Sequence, residues 1–360
     1  MRARQRGLSL VEILVAVAIG MIGILIITQA YLTSENFNRS TLGEGGAQTN
    51  GLVALYLLER DARNAGYGFN SEAALGCGNV HWYLNGNYSA SAGGALPNFR
   101  LAPVLIEGGT AAPDRITILY SSAAERMMPS TVRSNPADPF AVPLSGVEGF
   151  CPNTACPTQN DRIVIVSAGG CVLADVTQVE IVAQLLRMQA GENGPHNPPG
   201  WGFPVTYGQG DAVVNLGQPV LRTYLVADGK LQTIETLLAT GTLTPVELVD
   251  GIVDLRALYG KDTDNDNVVD TWDLVTPTNG AGWLQVQAVR LAVLARIGTH
   301  EKPSPGASDC DATTVVPAWS GAATNPFRAI SVAPGSDDRC YRYRVFETVV
   351  PLRSIIWRLP

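Results

Sequence analysis

Lysine is nearly missing from this 360-residue chain: only Lys230, Lys261 and Lys302 are present. Histidine is equally sparse, at His81, His196 and His300, and charged residues make up only 16% of the chain. Outside the first six residues there is no basic run, and the formal net charge is −7. A nucleic-acid partner is thereby excluded, because phosphate contacts need clustered Lys and Arg. No P-loop, dinucleotide fingerprint, GxSxG or HExxH motif occurs, and no CxxC pair. The histidines are scattered, away from the cysteines, and read as surface or loop residues rather than catalytic bases or zinc ligands. A glycosidase carboxylate pair is not legible in a single sequence, and the chain is read as a non-enzyme. Disorder is also excluded, since 46% of the residues are hydrophobic.

What the chain does have is one long apolar run near its start. Arg2, Arg4 and Arg6 precede Gly7, and from Ile13 to Ser34 no residue is charged. About 20 residues of helix cross a bilayer core, and the arginines hold the N-terminus in the cytoplasm. An ordinary secretory signal has a shorter core, although Thr28-Gln29-Ala30 could just serve as its cleavage site. A plain anchor explains the length but not Glu12, since an intramembrane carboxylate is costly and functional by default.

Beyond the span, helical composition continues to about Ala65. Leu55, Leu58, Ala62 and Ala65 recur at helical spacing and predict one buried stripe, with Glu59 and Arg63 paired at i,i+4. Gly43, Gly45, Gly46 and Gly51 predict a break or bend in the middle. Gly66-Tyr67-Gly68 predicts the end. The rest reads as strands and loops. Strands are expected at 115–120, at 162–166, at 220–226 and 231–235 around an Asp228-Gly229 hairpin turn, at 284–297 and at 345–352. Val253, Leu255, Ala257 and Tyr259 alternate as a half-buried strand does. Residues 84–98, 129–160, 190–219 and 298–336 read as loops. The fold class is α+β, a long N-terminal helix followed by a β-rich head.

Asp262, Asp264 and Asp266 take the first, third and fifth positions of a twelve-residue calcium loop. The Val268 carbonyl falls at the seventh, Asp270 at the ninth and Asp273 at the twelfth. Hard oxygens at alternating positions suit Ca²⁺. Asn267 stands where such loops carry glycine, and Asn tolerates the left-handed conformation. Asp273 replaces the usual Glu, which shortens the bidentate reach. The other reading is a solvated Asp/Asn-rich hairpin loop. Six cysteines in a head outside the cytoplasm suggest disulfides. Cys151 with Cys156, Cys310 with Cys340 and Cys77 with Cys171 is the favoured set among 15 that residue types alone do not separate.

Gly7-Leu8-Ser9-Leu10-Val11-Glu12 resembles the processing site of type IV prepilins. The resemblance implies cleavage after Gly7 by a prepilin peptidase, methylation of the new N-terminus at Leu8, and pairing of Glu12 with the α-amino group of a neighbouring subunit. Loss of the leader takes the net charge from −7 to −10. The resulting division is a leader at 1–7, a transmembrane and filament-core helix at 8–34, its amphipathic second half at 35–66 and the head at 67–360.

Several later segments resemble the PilW family of minor pilins. Leu57-Leu58-Glu59-Arg60-Asp61-Ala62-Arg63-Asn64-Ala65-Gly66-Tyr67 is similar to the family's helix end, although Cys77 falls later than the family's usual Gly-Cys. Glu247–Ile252 with Leu258–Asp262, then Trp283, Val289-Arg290-Leu291 and Arg344–Arg353, follow the family's later pattern. That resemblance implies a minor component that primes pilus assembly with other minor pilins, the major pilin and the inner-membrane assembly platform. Its head would be periplasmic at first and on the pilus after assembly. A type II secretion pseudopilin of the tip complex is the alternative. A pilus adhesin is another, resting on His81, Trp82, Tyr83 and Tyr88.

Overall fold

The computed structural model describes residues 10–78, 80–84, 87–89, 100–108, 112–123, 128–151, 160–189, 194–198, 203, 205–237, 244–304 and 306–357, without side chains at 32, 33, 35–42 and 87–89. It begins with one continuous helix, α1, Leu10–Asn64, of 55 residues. At 1.5 Å per residue that is about 80 Å of rod. Within it, Leu10–Tyr31 has a mean hydropathy of 2.9 and none of it is buried.

The second half of α1 lies against the head. Its buried face is Ala47, Gly51, Ala54, Leu58, Asp61, Ala62 and Ala65. This face is turned slightly from the expected stripe: Leu55 is only half-buried, and Ala54 takes the contact. The expected break at the glycines does not occur. Two of them are where the head comes closest. A Cβ on Gly51 would overlap the Phe346 ring, and one on Gly43 would stand 2.8 Å from Thr299 Oγ1, whereas Gly45 and Gly46 have open space. The helix ends at Gly66 and Gly68, with φ of +78° and +86°. Gly66 N–H then donates to the Leu119 carbonyl at 2.9 Å.

In chain order the strands are β1 (Val80–Leu84), β2 (Asn87–Ser89), β3 (Val104–Glu107), β4 (Arg115–Tyr120), β5 (Ser130–Thr131), β6 (Ala141–Pro143), β7 (Arg162–Ser167), β8 (Gly170–Asp175), β9 (Gln178–Glu180) and β10 (Leu185–Arg187). They continue with β11 (Ala212–Gly217), β12 (Val220–Ala227), β13 (Lys230–Glu235), β14 (Val246–Asp250), β15 (Ile252–Lys261), β16 (Thr271–Asp273), β17 (Val286–Arg296) and β18 (Tyr343–Pro351). Two short helices, α2 (Gly280–Leu284) and α3 (Arg353–Ile356), flank β17 and β18. Leu284 therefore closes a helix rather than opening a strand. Likewise β2, β5, β6 and β11 lie in stretches expected to be loops; the first three are only two or three residues long, too short for a period to show.

Four sheets result, ordered β2-β1-β8-β7-β11-β5, β6-β10-β9, β14-β13-β12-β4-β3 and β16-β15-β17-β18. The β12–β13 hairpin turns at Asp228 and Gly229, with φ of +52° and +71°, as Asp-Gly predicts. The main core gathers the buried face of α1 with Leu255, Ala257, Val289, Leu291 and Val350. A second core joins β6, β7 and β10. A third packs Trp319, Phe327 and Ile330 on Leu258, Ala292 and Leu294, the opposite face of the last sheet. That layer explains why β15 is buried on both faces along most of its length rather than half-buried. Cys77 is bonded to Cys171, with S–S 2.08 Å, and Cys310 to Cys340, with S–S 1.98 Å. Cys151 is also disulfide-bonded, while Cys156 lies outside the described residues.

Candidate functional site

Gly7 and Leu8 lie outside the described residues. Glu12 is exposed in the first turn of α1, among Leu10, Val11, Ile13 and Leu14, which are more than half exposed. An acidic side chain there faces the partial positive charge of the helix N-terminus.

At the other end of the helix, Asp61 sits in the middle of the buried face. Tyr224 Oη donates to Asp61 Oδ2 at 2.7 Å, and Arg60 Nε to Oδ1 at 3.1 Å. Arg222 Nη1 also donates to Asp61, and Arg222 Nε to Glu235 Oε1 at 2.9 Å. Burial works against the Arg222 charge, but the Glu235 hydrogen bond and the Asp61 charge outweigh it and hold its pKa above the ordinary value. Burial and the Asp61 contact raise the Tyr224 hydroxyl pKa. Arg222 and Tyr224 are two apart on β12, so they share a face. Asp61 thus fastens the helix to the central sheet. The sequence carries its signal, a carboxylate beside Ala62 and one turn from Leu58 and Ala65, but not its partners, 161 and 163 residues away.

A second buried cluster fastens the outer layer. Arg256 Nη1 donates to Asp114 Oδ1 at 3.1 Å and Nη2 to Asp254 Oδ2 at 3.2 Å. Asn325 Nδ2 donates to Asp114 Oδ2 at 2.6 Å, and Arg328 N–H to Asp254 Oδ2 at 2.7 Å. His196, expected at the surface or in a loop, lies in a turn but is fully buried, with Nδ1 2.9 Å from Asp175 Oδ2. Among the described residues its Nε2 has no hydrogen-bond partner. His81 sits in β1.

The aspartate loop connects β15 to β16. Carboxylate oxygens of Asp262, Asp264 and Asp270 lie within 4.8 Å of one another. The other two carboxylates are turned elsewhere. Asp266 accepts from Val268 N–H at 2.7 Å, and Asp273 is 2.7 Å from Lys261 Nζ. Of the five carboxylates in the twelve-residue set, three are thus gathered at one place. Asn265 and Asn267 have φ of +63° and +67°, so Asn267 does take the left-handed position. The loop also carries its own donors: Asn267 N–H reaches Asp262 Oδ2 at 2.9 Å, and Thr263 N–H reaches Asp270 Oδ2 at 2.7 Å. Partial desolvation, with the charges of Asp266, Asp270 and Asp262, raises the Asp264 pKa. The Thr271 hydroxyl and the Thr263 amide lower that of Asp270. Carboxylate oxygens fit a hard cation in kind, and the three residues supply part of the 6–8 oxygens that Ca²⁺ takes. A further grouping, His300, Asp337 and Cys340, loses its sulfur to the Cys310 disulfide.

Residues 2–28 match the prokaryotic N-terminal methylation motif, and residues 220–354 match the family described as type IV pilus-assembly protein W. The second match runs from β12 to α3, and so covers Arg222, Tyr224 and the sheet beneath the helix. Among curated proteins none matches. A solved type IV-like pilin from Thermus thermophilus superposes with a TM-score of 0.26 at 14% identity, over 55% of this chain and 85% of that one, too loosely to carry an argument. The two family matches, one on the apolar helix and one on the sheet that seats its far end, mark the chain as similar to the PilW-type minor pilins of type IV pili.

Proposed function

We propose that this minor pilin acts in assembly, as a subunit that primes the filament with other minor pilins and the major pilin. A prepilin peptidase cuts after Gly7 and methylates Leu8. The helix then waits in the inner membrane with its head in the periplasm, and the assembly platform moves it into the filament. The observation that carries this reading is the exposure of the whole Leu10–Tyr31 segment on a helix whose other half is docked. So large an apolar surface needs a cover, lipid before assembly and neighbouring helices after it. Within that cover a carboxylate is costly and functional by default, which singles out Glu12 for a role between subunits. The α-amino group of the next subunit pairs with it and sets register.

The test is incorporation of Glu12→Ala into pili, alongside the melting temperature of the same variant in detergent. Incorporation falls and melting is unchanged if Glu12 sets register; normal incorporation contradicts the proposal. Use of the variant by a secretion system instead of a pilus would favour the pseudopilin role.

The aspartate loop is the proposed Ca²⁺ site, with Asp262, Asp264 and Asp270 as protein ligands. Binding would relieve the mutual repulsion of the three carboxylates and stiffen the β15–β16 connection. Ca²⁺ at one hundred times its dissociation constant would add about 2.7 kcal/mol of stability. Calorimetry and melting of the full chain with Ca²⁺ or chelator check this. No heat and no shift contradict it, and Asp264→Asn should remove both.

A further inference from the structure

At the head end of α1 a cleft of about 510 Å³ opens between the helix terminus and the C-terminal segment. Arg63, Asn64, Tyr67, Met128, Arg353 and Trp357 form its walls. A second depression of about 300 Å³ shares Arg63, Asn64 and Arg353 and extends down the helix past Arg60 to Tyr56. Through these shared residues the two form one trough between the outer surface of α1 and the C-terminal segment of the head. Its size is that of a ligand site. Its apolar parts stand in solvent: Trp357 is 73% exposed, Met128 65% and Tyr56 61%.

The charge of the trough is opposite to that of the chain. Among the described residues, three guanidinium groups, of Arg60, Arg63 and Arg353, line it with one carboxylate, Glu59. Glu59 is paired with Arg63. Asp61 lies beneath the helix surface and is shared among Arg60, Arg222 and Tyr224. Arg353 has the Trp357 ring for company, 5.7 Å from its centroid. A net positive trough in a chain of charge −7 selects an anion, and its aromatic wall selects an apolar side chain beside that anion.

The length of the helix decides what kind of anion reaches it. From Tyr31, where the apolar segment ends, to Tyr56 is about 38 Å of helix, and to Arg63 about 48 Å. Lipid headgroups are that far away, so the occupant is protein. We infer that the trough of Tyr56, Arg60, Arg63, Arg353 and Trp357 docks an acidic peptide segment of a neighbouring subunit. One aromatic or long aliphatic side chain enters the cleft, and carboxylates pair with Arg63 and Arg353. This names a partner chemistry for the proposed assembly role and rests on it only for the source of the segment.

The probe is a fluorescein-labelled peptide with one Phe among Glu and Asp, added to the full chain in detergent micelles at about 0.15 M salt and read by anisotropy. Two control peptides replace its acids by amides or its Phe by Ala. The acidic aromatic peptide should bind at least about tenfold more tightly than either control. Arg353→Glu should lose that preference, and Arg353→Lys should keep most of it. Met128→Glu, on the opposite wall, should weaken binding in the same sense, and guards against a folding defect in the Arg353 variant. Equal binding of the three peptides overturns the inference, as does indifference to both charge changes. So does displacement of the bound peptide by phosphatidylglycerol vesicles but not by neutral ones, which would assign the trough to lipid. Each of these can fail while Glu12 still sets register.

Discussion

The two halves of α1 are one rod in two surroundings. From Leu10 to Tyr31 the helix is apolar apart from Glu12, and none of it is buried against the described residues of the head. From Ala47 to Ala65 it is two-faced. Small residues and one buried carboxylate face the sheets, while Tyr56, Arg60 and Arg63 face out. The difference teaches that the first half is built to exchange its cover, and the second to keep it. A surface that is apolar except at Glu12 can pass from lipid to helices, with that one carboxylate left to set register. A surface with an ion pair at one depth and a glycine against a ring at another has a single seat.

The largest blow to that contrast should come from Asp61→Ala. Removing one partner of a buried ion pair costs about 3–5 kcal/mol, and here the lower figure is expected, since Arg222 retains Glu235. Chemical denaturation of the variant in detergent checks it. The Glu12→Ala variant should denature as the parent does, because its partner is another subunit.

Next comes Gly51→Leu, which would push a side chain into the Phe346 ring. Overpacking of this kind costs about 1–3 kcal/mol. The smallest effect, and of opposite sign, is expected from Gly45→Ala. Its Cβ meets nothing, so the helix gains up to about 1 kcal/mol. If the two substitutions behaved alike, the distinction between seated and free faces of the helix would fail.

These glycines also show where the sequence stops being readable. Composition finds a run of four and reads a breaker; whether a glycine loosens a helix or admits a ring depends on Phe346, some three hundred positions later. The same holds for Asp61, whose oddity on an apolar stripe is legible while Arg222 and Tyr224 are not. Contiguous signals survived well. The apolar span, the Glu59–Arg63 pair, the 115–120 strand and the Asp228-Gly229 hairpin all stand as read. β15 was misjudged because its second cover, Trp319, Phe327 and Ile330, comes from a segment with no period of its own. In the aspartate loop the spacing was visible, but the turning of Asp273 toward Lys261 and of Asp266 toward its own turn was not.

The most direct measurement is the intact mass and N-terminal fragmentation of the membrane-extracted chain, from cells with and without their prepilin peptidase. The account predicts a peptidase-dependent chain that begins at a methylated Leu8, with Glu12 as its fifth residue. A chain that begins after Ala30, or an uncut Met1 in both strains, would contradict it.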